Sequence, residues 1–172
     1  LHAPITIEAL AAGKHVLTEA RMCMNFEEAQ SMSAAAERSD RVAMIVPAPF
    51  YLTAEPTLLR MLEEGYFGRI LEIEVRGLSG GFNPEAPLHW RQRRDLSGEN
   101  IMALGIFNET VRRYAGHEKS VMAHGTIFTR ERLDSEVGVI RTADVPESIG
   151  VISEMENGAT AVYHLSSVAR FG

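Results

Sequence analysis

Few residues of this 172-residue chain are of the types that move protons, attack carbonyl carbons or hold metals. Six are histidines: His2, His15, His89, His117, His124 and His164. None is paired with another at i, i+4 or with a carboxylate in a metal-binding pattern, so no metal site is expected. His124 and His164 fall in β-prone runs and read as half-buried sheet residues. Cys23 is the single cysteine, so no internal disulfide can form and a reducing, cytoplasmic setting is expected. Its neighbours Met22, Met24 and Phe26 mark it as a small buried thiol rather than a nucleophile. No serine–histidine–acid arrangement follows from spacing. The basic cluster "WRQRRD" at 90–95 is either a solvated loop or a patch for an anionic ligand.

The composition bounds what such residues can serve. It is 45% hydrophobic and 23% charged, as in ordinary globular proteins. The net charge of −6, from 17 basic and 23 acidic residues, argues against nucleic acid as the main partner. No apolar run approaches the ~20 residues that cross a bilayer, so no membrane partner is expected. No secretory signal is visible, and "LHAPITIEAL" reads as the interior of a fold rather than a loose terminus.

The elements that must position these groups are legible from periodicity. "APITIEALAA" at 3–12 is a helix stopped by Gly13. "HVLTE" at 15–19 is a short β-prone run. Asn25 then reads as the N-cap of a helix, with Glu27 and Glu28 in its first turn. That helix is expected to bury Phe26, Ala29, Met32 or Ser33, and Ala36. "RVAMIV" at 41–46 is a second apolar strand, stopped by Pro47 and Pro49. This β–α–β order predicts a parallel sheet covered by helices. A helix at 55–65 has Pro56 at its start and Gly65 at its end. From Gly68 the period becomes two: Leu71, Ile73 and Val75 alternate with Glu72, Glu74 and Arg76.

A Gly/Pro loop at 79–87 follows, then a helix-compatible run at 100–116 that Ser97 or Asn100 would cap. Three β-prone runs come after it, at 120–129, 148–156 and 159–167. Asn157-Gly158 between the last two is a strong hairpin signal. The fold class is therefore α/β followed by α+β: residues 1–52 as the end of a Rossmann-like parallel sheet, and 53–172 as part of an open, mostly antiparallel sheet with helices on one face. Both ends read as cut from something larger, and the last strand reads as an unprotected edge.

Four stretches together resemble the Gfo/Idh/MocA oxidoreductases, named after glucose–fructose oxidoreductase and inositol dehydrogenase. They are "LHAPITIEALAAGKHVLTE", "NFEEAQSMSAAAERSDRVAMIV", "LLRMLEEGYFGRILEIEV" and "HWRQRRDLSGENIMALGIFNETVRRYAG". The resemblance covers nearly the whole chain. It implies a Rossmann domain joined to a C-terminal α/β domain, NAD or NADP as cofactor, and a sugar, polyol or related alcohol as substrate. It also implies self-association through the open face of the C-terminal sheet.

The departures bear directly on chemistry. No Gly-x-Gly-x-x-Gly occurs, so the turn that would cradle a pyrophosphate is absent from this sequence. The family's Glu-Lys-Pro motif is Glu19-Ala20-Arg21 here, and Arg21 stays protonated, so it is no base. The Asp-x-Gly-x-His-x-x-Asp helix has become 103–110 with Ala103, Phe107 and Thr110 at the three acid–base positions. Glu109 and His89 remain as candidates for a displaced acid or base. On a helix Glu109 points about 100° from Thr110, and His89 reads alternatively as a loop residue near a buried tryptophan. For the cofactor, the resemblance singles out His2, Glu19, Trp90 and Arg91; His2 is otherwise a frayed surface residue. Two functions are carried forward: an NAD(P)-dependent oxidoreductase impaired in catalysis, and a non-catalytic module of assembly derived from one.

Overall fold

The computed structural model describes residues 2–46, 52–99 and 101–170. Pro47, Pro49 and Asn100, named above, lie outside them. The chain begins with helix α1 (His2–Ala11), strand β1 (Val16–Thr18), helix α2 (Phe26–Glu37) and strand β2 (Ala43–Ile45). β1 and β2 pair in parallel, Val16 opposite Ala43 and Thr18 opposite Ile45. Asn25 caps α2 as its residue type demands, its Oδ1 accepting the Glu28 N–H at 2.9 Å. The buried stripe of α2 is Met32 and Ala35, against Ala3 and Leu10 of α1. Phe26, expected on that face, is exposed: it stands in the first turn, ahead of the stripe that α1 covers.

Helix α3 (Glu55–Glu63) leads into the second unit. Its first residue, Glu55, is buried and receives Arg113 at 3.0 Å and the Tyr114 hydroxyl at 3.1 Å. That pairing ties the start of α3 to the end of helix α5 (Leu104–Ala115). Between them lie strand β3 (Glu72–Leu78), a 3-10 turn (Trp90–Gln92) and a short helix α4 (Arg94–Ser97). The remaining strands are β4 (Glu118–Thr126), β5 (Glu131–Asp134), β6 (Val139–Thr142), β7 (Ser148–Met155) and β8 (Thr160–Ser166).

The main sheet has the order β3-β8-β7-β4. Strand alternation sends Ile149, Val151, Met155, Tyr163 and Leu165 to one face, where Val111 and Ala115 of α5 cover them. The Asn157-Gly158 turn forms as predicted: Gly158 takes φ +82°, and β7 and β8 pair antiparallel on either side. Two expectations are corrected. β8 is no edge; it lies between β7 and β3, and it pairs with β3 in parallel, the two being joined by a long connection through α5 and β4–β7 rather than a hairpin. Ser97 does not cap α5, since the α5 N-cap is Ala103 and the Ser97 hydroxyl instead donates to the Arg91 carbonyl at 3.2 Å.

Segment 127–147, which carries little apolar periodicity, forms the β5–β6 hairpin around a buried ion pair. Arg132 and Glu147 meet at 2.8 Å with side chains only 3% and 4% exposed. The second Glu147 oxygen accepts the Phe128 and Thr129 N–H groups at 2.7 and 2.9 Å. Arg132 also donates to the carbonyls of Asn83 and Ala86, which fastens the Gly/Pro loop to the hairpin.

Candidate active site

A cleft of about 700 Å³ opens between the β1–α2 loop and α5, floored by parts of β4, β7 and β8. Its near wall is Ala20, Arg21, Met22 and Ile45, at the carboxyl ends of the parallel strands. The Ala20–Arg21 peptide bond is cis. Two hydrogen bonds to backbone carbonyls hold this wall to the segment before α5. The Glu99 N–H donates to the Met24 carbonyl at 2.9 Å, and Arg21 Nη2 donates to the Met102 carbonyl at 2.6 Å. Gly98, at φ +66° and ψ −153°, lies so close to Met24 that any Cβ would fall 2.2 Å from its carbonyl oxygen.

The far wall is one face of α5: Gly105, Asn108, Glu109 and Arg112, spaced i, i+3, i+4 and i+7. Phe107 turns the other way and packs on the core, where Gly77 of β3 leaves room for its ring. The Thr110 hydroxyl donates back to the Ile106 carbonyl at 3.0 Å. Of Ala103, Phe107 and Thr110, only Ala103 lines the cleft.

Beneath the cleft lies a polar network. Asn108 Nδ2 donates to Glu118 Oε1 and, at 3.3 Å, to the Tyr163 hydroxyl oxygen. Arg112 Nη2 pairs with Glu118 at 2.6 Å. Burial raises the Tyr163 phenol above its ordinary pKa, with the Asn108 hydrogen bond opposing and the Glu118 charge adding to the rise. For Glu118, burial is the largest single influence and resists ionisation. Hydrogen bonds from Arg112, Asn108 and the backbone, with the Arg112 charge, together outweigh it and hold the carboxyl below the usual range. Because the folded value is the lower one, this contribution is complete above the unfolded pKa and is lost as pH falls through the folded one. Glu118→Gln is therefore expected to flatten the loss of stability below about pH 4, read from urea midpoints at several pH values. An unchanged acid slope would remove Glu118 as its source.

The residues singled out from sequence are scattered about this cleft. Glu109 lines it; His2, Glu19, His89, Trp90 and Arg91 do not. His2 Nδ1 is 2.9 Å from the Arg21 carbonyl oxygen, one contact from the near wall. Glu19 is exposed. His89 caps the 3-10 turn, its Nδ1 accepting the Arg91 N–H at 3.2 Å. Its neighbour Trp90 is 45% exposed rather than buried, with the Arg91 guanidinium 4.2 Å above its ring. Elsewhere in "WRQRRD", Arg93 is paired with Asp95 and Asp134, and Arg94 with Glu99. Cys23 is half-buried, and burial followed by the Glu28 charge raises its pKa. His124 and His164 stand exposed on the open sheet face. Among the described residues no cluster of three potential metal ligands occurs, and no helix is long and apolar enough to cross a membrane. Asn108, Arg112, Glu118 and Tyr163 escaped the sequence reading. The first two were findable as the polar stripe of α5; Glu118 and Tyr163 come from separate strands.

A parallel αβ unit ending at a cleft, closed by an open sheet with helices on one face, defines a two-part architecture, α/β followed by α+β. Comparison with known proteins specifies it. The family model for the GFO/IDH/MocA C-terminal domain matches residues 57–172, and that for the oxidoreductase family's NAD-binding Rossmann fold matches residues 1–46. The chain belongs to the Gfo/Idh/MocA oxidoreductase family. It is 34% identical over 165 residues to D-xylose dehydrogenase from Paenarthrobacter nicotinovorans, covering 91% of this chain and 41% of that protein. It is 31% identical over 103 residues to levoglucosan dehydrogenase from Pseudarthrobacter phenanthrenivorans, covering 59% of this chain and 26% of that one. A levoglucosan dehydrogenase solved with NADH and L-sorbose superposes with a TM-score of 0.82 at 25% identity, over 98% of this chain and 46% of the other. The chain thus spans less than half the length of each of these relatives.

Proposed function

We propose that the cleft is the substrate half of an NAD(P)-linked site that oxidises a hydroxyl of a sugar or polyol, with Glu109 taking the hydroxyl proton. The carrying observation is the position of Glu109 on the cleft face of α5, beside Gly105, Asn108 and Arg112. The positions at which the family places its lysine, aspartate and histidine hold Ala20, Ala103 and Phe107, none of which can accept a proton. The sugar dehydrogenases among the relatives support the substrate class.

The residues present fit one end of a dinucleotide. Ala20, Arg21, Met22 and Ile45, at the carboxyl ends of β1 and β2, stand where open α/β sheets take ligands. This sequence has no Gly-rich turn for the pyrophosphate. When bound, the nicotinamide would supply the hydride acceptor. The chain's own part is to orient and deprotonate. Asn108 is fixed by Tyr163 and Glu118, Arg112 keeps Glu118 ionised, and the apolar Ile101, Met102 and Val121 line the same cleft. With a single carboxylate replacing the family's set, catalysis is weak.

A second reading rests on the other face of the sheet. Met122, Ile152 and Val162 stand in register across β4, β7 and β8, exposed by 74%, 54% and 39%. In this reading the apolar row joins two copies of the chain, with no catalysis.

Titration with NADH and NADPH, followed by energy transfer from Trp90, tests the first reading. Saturation at micromolar nucleotide is expected. With nucleotide bound, Glu109→Gln should lower D-xylose oxidation by about 100-fold or more. A flat response in folded protein that sediments as a dimer would overturn the oxidoreductase site and leave the assembly module.

A further inference from the structure

Three cations line the cleft: Arg21, Arg112 and Lys119. Arg112 is neutralised by Glu118 at 2.6 Å, and Lys119 by Glu154 at 2.9 Å. Among the described residues no carboxylate pairs with Arg21. Its Nη2 donates to the Met102 carbonyl, and its Nη1 is buried with no hydrogen-bond partner among those residues. A carbonyl dipole orients a guanidinium without cancelling its charge. The nearby acid Glu99 is held by Arg94 at 3.2 Å, and Glu118 by Arg112.

Two further features make this arrangement unlike an ordinary surface arginine. Met102 holds its carbonyl on Arg21 from a left-handed backbone, φ +46°, which a side-chain-bearing residue adopts at a cost. A second guanidinium, Arg91, also acts on Arg21: burial first, and then the Arg91 charge, lower its pKa. Half-buried positive charge without a counter-ion is costly, and an arriving oxyanion offsets that cost. A planar fork also suits a carboxylate or phosphate better than a hydroxyl.

We propose that Arg21 is an oxyanion-recognition site at the near wall of the cleft, taking a carboxylate of a sugar acid or a phosphate of the cofactor. This rests on the cleft being a ligand site, as proposed above. It gives Arg21 a binding role in place of the acid–base work its chemistry forbids.

Isothermal titration calorimetry on the intact chain, at matched ionic strength, tests this with three probes: D-glucuronate, D-glucose and inorganic pyrophosphate. The expected result is saturable binding of one of the two anions, with D-glucose at least about 10-fold weaker. Preference for D-glucuronate assigns the site to substrate; preference for pyrophosphate assigns it to cofactor. Arg21→Gln should weaken the preferred anion by about 10- to 100-fold and leave D-glucose unchanged. Arg21→Lys, which keeps the charge and loses the fork, should fall between; it also serves if the glutamine variant unfolds. Anion binding no tighter than D-glucose, or indifferent to both substitutions, overturns the proposal. If NADH still saturates in that case, only this inference falls; if nothing binds, the cleft reading falls with it.

Discussion

Replacing Glu147 by alanine is expected to destabilise the chain by about 3–5 kcal/mol. The substitution leaves Arg132, whose side chain is 3% exposed, charged and enclosed with no counter-ion. It also takes the acceptor from the Phe128 and Thr129 N–H groups. Water cannot repay either loss at a site this enclosed, so the penalty is that of an uncompensated buried charge rather than of a surface ion pair. Domains of this size are stable by about 5–15 kcal/mol, so a third or more of the total is at stake. Urea unfolding should show a lower midpoint at unchanged slope. The double replacement Arg132→Met with Glu147→Leu should recover part of the loss, because it removes the stranded charge but not the unmet amides. A loss under about 1 kcal/mol from Glu147→Ala would mean that the pair is solvated and that the β5–β6 hairpin is held otherwise.

The second large effect is expected at Gly98. An alanine there puts its Cβ 2.2 Å from the Met24 oxygen, 2.4 Å from Met24 Cα and 2.7 Å from its carbonyl carbon. These are backbone atoms, which cannot rotate aside as the tip of a side chain could. The conformation itself, φ +66° and ψ −153°, costs an L-residue about 1–3 kcal/mol before any clash is counted. The wall and the helix must therefore part, breaking the Glu99–Met24 and Arg21–Met102 bonds together. Gly98→Ala should cost at least about 3 kcal/mol and speed hydrogen exchange at the Glu99 amide. Gly105→Ala is the matched control. Gly105 lines the same cleft at ordinary φ with nothing within 4 Å of its would-be Cβ, so stability should hold or rise by up to about 1 kcal/mol. Equal losses at both positions would show that the close approach at Gly98 is not what joins the two units.

The depth to which the sequence could be read followed the range of the interactions. The Asn25 cap, the first-turn acids of α2 and the Asn157-Gly158 hairpin are settled by neighbours a few residues away, and each was legible. The hairpin at 131–142 was not. Its strands "ERLD" and "VIRT" carry too few apolar residues to show a period, and what holds them is a charge pair that has no periodic signature. Phe26 and Trp90 were misplaced for a related reason: large apolar residues suggest burial, but only the neighbouring elements decide whether anything lies over them.

By itself the sequence determined the family and most of the order of helices and strands. Those are properties of residue identity and local spacing, which the linear chain contains in full. Only the tertiary structure decided that β8 runs parallel to β3, that Phe107 faces the core while Glu109 faces the cleft, and that Arg21 meets the segment before α5 with no acid among the described residues to neutralise it. Each of these joins elements that the chain keeps far apart, or depends on which side of a helix is covered. Burial and unpaired charge exist only once those elements have been packed together.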